Sequence, residues 1–150
     1  MKKTEKTENT NELLAVMYRN VEMGSESLTD VIPMIRGREM LTNVTAQMEK
    51  YADFMSRTQA ELRKRAGQAK KLSPMKKAMA KSGIIMNTML DSSDGHIAEM
   101  IEKGTRTGVD TLEEQYCRLS REGCDSNVAG LCREIINYER READKIKDFQ

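Results

Sequence analysis

The sequence predicts an all-α protein: a four-helix bundle with a short crossover helix between the second and third long helices. Three observations point there. Met, Leu, Ala, Glu, Lys and Arg dominate a chain with only two prolines and six aromatic residues, a composition that favours helix over strand. Apolar residues recur at intervals of three and four along most of the length, and no window alternates as a strand would. Breaker and cap residues gather at a few places and divide the chain into long segments.

The elements follow in order. Residues 1–9 are polar and read as a flexible tail, with residues 10–150 as one helical domain. Asn9 with Glu12 fits a capping box. A helical stripe then runs through Leu13, Met17, Val21, Leu28, Val31 and Ile35. Pro33 loosens its last turn and Gly37 ends it. The second helix carries Leu41, Val44, Met48, Tyr51, Met55 and Leu62 and stops near Gly67. Ser73 and Pro74 open a shorter third element through Leu90. "DSSDG" breaks the chain, and a fourth helix runs from about Asp94 to Arg121. "EGCDSN" turns the chain into a fifth helix carrying Val128, Leu131, Cys132, Ile135, Ile146 and Phe149. Four of the five span about 24 to 29 residues, or roughly 36–44 Å. The shorter third one is expected to carry the chain between two helical hairpins.

An internal echo supports two related hairpins. "MGSESLTD" (23–30) aligns with "TGVDTLEE" (107–114), glycine over glycine and leucine over leucine. This helix order resembles the ferritin-like superfamily, whose two antiparallel pairs are joined by one long crossover. The segment "HIAEMIEKGTRTGVDTL" (96–112) is also similar to one found in bundle proteins of Gram-positive bacteria. The ferritin-like resemblance implies a core site for metal, built from Glu-x-x-His on two helices and a further inward glutamate on each of the others. The chain contains no Glu-x-x-His and only one histidine, His96. The two-histidine site is therefore impossible, which leaves carboxylate remnants as the candidates.

Helical geometry weighs those remnants at about 100° per residue. His96 and Glu99 fall on the flank and outer face of the fourth helix, so His96 reads as a helix opening. Glu22, Glu26, Glu49 and Asp53 also point outward. The fifth helix differs, because its stripe of Cys132, Ile135, Glu139, Glu142 and Ile146 includes carboxylates. Glu139 and Glu142 are the candidate metal ligands. Inward positions at the same level on other helices carry Asn20, Gln47 and Tyr51, so Asn20, Gln47, Tyr51 and Glu139 form a candidate buried polar cluster. Gly24, Gly104 and Gly108 lie on or near inward faces, where close helix approach offsets their helix cost of about 1 kcal/mol, the alternative being a pocket for a bound apolar ligand or a large opposing side chain.

Other features point less to chemistry. Four methionines at helical spacing, Met75, Met79, Met86 and Met89, read as core packing. Cys117, Cys124 and Cys132 match no zinc spacing and read as reduced thiols of a cytoplasmic protein. The net charge of +1 argues against a general nucleic-acid binder. Charge is uneven, however: residues 57–81 hold nine Lys or Arg against Glu61 alone. Arg63, Lys64, Arg65, Lys70, Lys71, Lys76, Lys77 and Lys81 make up a basic patch able to meet an acidic partner. There is no membrane span, signal sequence, GxSxG, P-loop or GxGxxG.

The functional expectation is a non-catalytic bundle that acts through its surface, as a scaffold or by binding a protein partner, a second copy of itself included. No cofactor is expected. The alternatives are a degenerate iron or manganese carboxylate protein and an anion-binding module using the basic 57–81 stretch.

Overall fold

The computed structural model describes residues 2–65 and 91–150. Helix α1 spans Lys2–Val31, α2 Arg38–Lys64, α3 Asp94–Glu122 and α4 Ser126–Ile146, with 3-10 turns at Ile32–Met34 and Lys147–Phe149. No strand occurs among the described residues. The expected element from Ser73 to Leu90 lies outside them.

Helix α1 begins well ahead of the expected cap. Asn9 is inside it, and its side-chain amide donates to the Gly123 carbonyl at 2.9 Å in the turn between α3 and α4. Next to it, Thr10 donates to the Lys6 carbonyl at 2.7 Å and accepts from the Asp125 amide at 2.9 Å. These polar groups tie α1 to another hairpin instead of capping their own helix. At the other end, Pro33 sits in the 3-10 turn, where its missing N–H leaves no helical bond unmade.

The starts of α2 and α3 meet at one end of the bundle. Ser93 caps α3 by accepting from the His96 amide at 3.3 Å. Asp94 reaches across and accepts from the amides of Arg36 at 2.9 Å and Gly37 at 2.7 Å. A Cβ on residue 37 would stand 2.9 Å from that carboxylate, so glycine is needed for the approach. The opposite end holds the α3–α4 turn. There Gly123 adopts φ 114°, in the region that favours glycine. Asp125 caps α4 through the amides of Asn127 and Val128 and pairs with Arg65, just past the end of α2, at 3.1 Å.

These contacts fix the direction of every helix. The start of α1 and the end of α3 share one end, so the two run antiparallel. Arg57 meets Glu134 and Tyr51 meets Glu139, so α2 and α4 are antiparallel as well. Helices α2 and α3 are parallel, and the chain between them links opposite ends of the bundle. The topology is up-down-down-up with one long connection.

The core lies along the axis. Leu13, Met17 and Val21 of α1, Met40 and Phe54 of α2, Ile97 and Leu112 of α3, and Ile135 and Ile146 of α4 belong to one buried cluster. Surface pairs lace the hairpins, among them Glu12–Arg118 between α1 and α3 and Glu113–Arg140 between α3 and α4. Exposed pairs of this kind are each worth about 0–1 kcal/mol, so apolar burial carries the fold.

Candidate functional site

The polar residues of the core converge midway along the bundle. Glu139 of α4 is 2% exposed, and its Oε2 accepts a hydrogen bond from the Tyr51 hydroxyl of α2 at 2.7 Å. Asn20 of α1 is the next polar neighbour. Its amide stands close enough to favour the ionised carboxyl without closing a well-formed bond to Oε1. Both Glu139 Oε1 and Asn20 Oδ1 are buried and have no hydrogen-bond partner among the described residues.

Two glycines shape the space around this cluster. A Cβ on Gly24 of α1 would lie 2.8 Å from Cζ of Tyr51, and one on Gly108 of α3 would lie 3.0 Å from Nδ2 of Asn20. Gly24 thus makes room for the tyrosine ring and Gly108 for the asparagine amide. The third expected glycine behaves differently. Gly104 is exposed with nothing within 4 Å of its would-be Cβ, because the stripe of α3 passes through Ile101 and Val109 instead.

Electrostatics follow from the burial. Desolvation pushes the Glu139 carboxyl up to about 7, against the opposing pull of the Tyr51 hydroxyl and the Asn20 amide. Burial, then the nearby carboxylate, raises Tyr51 well above its ordinary value, so its hydroxyl stays the donor. Burial likewise raises the Cys132 thiol, which removes its thiolate character.

The remaining candidates separate from this centre. Gln47 is buried, but its amide donates to Asn43 on its own helix at 2.8 Å. Glu142 is 8% exposed and pairs with Lys145 at 3.4 Å, one turn further along α4. Among the described residues no three His, Cys, Asp or Glu side chains come together as a metal set. His96 faces Glu99 across 3.6 Å at the opening of α3, on the surface. Of the basic stretch, Arg63 is exposed, Lys64 pairs with Glu61, and Arg65 pairs with both Glu61 and Asp125. Lys70, Lys71, Lys76, Lys77 and Lys81 lie outside the described residues.

Two features escaped the sequence reading. Arg19 is 4% exposed on α1, with its Nε unpartnered among the described residues. A mid-helix arginine offset from the apolar stripe carries no sequence signal of burial. The second is an open groove of about 420 Å³ between the end of α2 and the start of α4. Arg57 and Glu134 bridge it with a two-pronged ion pair, and Leu131 and Ala60 add apolar surface beside Gly130. Gly130 is its only sequence trace, an exposed glycine inside a helix.

No known protein family, curated protein or solved structure matches the chain. No helix among the described residues is long and apolar enough to cross a membrane.

Proposed function

We propose that this chain is a non-catalytic bundle of ferritin-like topology that works through its surface, binding a protein partner and serving as a scaffold. The up-down-down-up order with one long connection supports the ferritin-like part of this reading. The groove between α2 and α4 carries the binding part. Its rim offers the charges of Arg57, Glu61 and Glu134, its wall offers Leu131, and Gly130 leaves it unfilled. Mixed polar rims around an apolar contact are what a protein partner's side chains fit. The core carboxylate, by contrast, is engaged with Tyr51 and buried away from any substrate.

The test uses Gly130→Arg. The site is exposed and nothing lies within 4 Å of the new Cβ, so the fold should survive while the groove fills. A partner captured by the wild type and lost in the variant, with unchanged circular dichroism, supports the reading. A partner retained equally by both sinks the groove as the binding face. Near-stoichiometric iron or manganese in the purified protein, lost in Glu139→Ala, would replace the whole reading with a metal-carboxylate one.

A further inference from the structure

The two orphaned oxygens at the centre of the bundle belong to neighbouring groups on different helices. Glu139 Oε1 and Asn20 Oδ1 are both buried acceptors without donors among the described residues. Each is costly, since it forfeits its hydration without a replacement bond. One hydrogen atom resolves both. A carboxylic acid at residue 139 places an O–H on Oε1, which can donate to Asn20 Oδ1 while Oε2 keeps accepting from Tyr51.

We propose that Glu139 is a proton switch: neutral when α1, α2 and α4 are fully packed, and loosening their shared contact when it ionises. Only the protonated form can donate from Oε1 to Asn20 Oδ1; the Asn20 N–H group favours the ionised carboxyl but closes no well-formed bond to Oε1. Ionisation removes that donor and leaves a buried charge whose one firm hydrogen bond comes from Tyr51. Among the described residues the surroundings offer no countercharge. From α2 the titratable neighbour is Tyr51, a neutral phenol. From α4 they are Tyr138, Cys132 and Glu142, two neutral groups and an acid already paired with Lys145. From α1 the neighbour is the Asn20 amide, and α3 presents Gly108 beside it. Burial pushes the carboxyl up to about 7, so its titration falls where small pH changes move it.

Infrared spectroscopy on the full chain tests this directly. A protonated-carboxyl stretching band should be present at about pH 5, fade through about pH 7 and be absent by about pH 8. The band is read as the wild type minus Glu139→Gln difference, because the other 23 Asp and Glu side chains absorb in the same region when protonated. Amide hydrogen exchange around residues 20, 51 and 139, corrected for the intrinsic pH dependence of exchange, should show protection falling over the same range in the wild type and staying level in Glu139→Gln. The two proteins differ only at residue 139, so the difference between them isolates it. A wild type without the band at about pH 5, or an exchange profile shared by both proteins, overturns the proposal. So does a chelator-induced change in the wild type, which would mean that a cation fills the place of the proton. None of these readouts depends on a partner at the groove.

Discussion

Burying a carboxyl with one oxygen unsatisfied favours its neutral form, and at Glu139 that preference becomes a pH dependence of stability. Its folded value of about 7 stands above the ordinary 4.5. The stabilisation is therefore complete below about pH 4.5 and is lost as pH rises through about 7, a change on the order of 3 kcal/mol. Glu139→Gln should match the wild type at about pH 5 and exceed it above about pH 8, since the amide keeps the shape and never ionises. Glu139→Ala removes the partner of Tyr51 and opens a gap, so it should cost roughly 1–3 kcal/mol at about pH 5. Urea melts at the two pH values check both. The glycines make a second residue-scale prediction. Gly24→Ala drives a Cβ to within 2.8 Å of a ring held by packing and by Glu139, and should destabilise by about 1–3 kcal/mol. Gly104→Ala meets open space and should stabilise by up to about 1 kcal/mol through helix propensity alone. Thermal melts giving the same sign for both would refute this account of the glycines.

At the scale of elements, helix boundaries were legible wherever a local cap decided them. The start of α3 near Asp94 and the turn around Gly123 follow from Ser93, Asp125 and glycine acting on their own neighbours. Boundaries decided by distant contacts were not legible. Asn9 looks like a cap, yet its amide serves a carbonyl 114 residues away, and no local pattern records that. The site divides in the same manner. The helical period puts Glu139, Tyr51 and Asn20 on inward faces, and they do converge. It puts Gln47 inward too, but cannot tell that Asn43 captures its amide first. Gly104 shows the limit of a wheel of fixed pitch, because a small angular drift over two turns carries a residue from the stripe to the surface. Asp94 joins two elements and can be tested as such. Asp94→Ala should leave the helix start intact but free the amides of Arg36 and Gly37, costing about 2–3 kcal/mol, whereas Ser93→Ala should cost about 1 kcal/mol. Equal losses in urea melts would show that Asp94 acts only on its own helix.

For the whole molecule, the echo between residues 23–30 and 107–114 acquires a physical meaning. Its paired glycines, Gly24 and Gly108, each stand where a side chain from another helix needs room, and its paired leucines, Leu28 and Leu112, are both buried. Equivalent first helices of two hairpins would carry such a pattern. That pairing depends on α3 starting at the end where α2 starts, which is the largest claim the topology makes. Arg65 meets Asp125 at one end and Asp94 meets Gly37 at the other. The 27 residues of α2 separate those ends by about 40 Å. Spin labels at the exposed positions 63 and 92, with Cys117 replaced by serine and the less accessible Cys124 and Cys132 left in place, should therefore lie roughly 40 Å apart, since the helix rise sets the span. An up-down bundle would place α3 antiparallel to α2 and bring the labels within about two helix diameters, near 20 Å. A dominant short distance would overturn the parallel arrangement of α2 and α3, and with it the equivalence of the two hairpins.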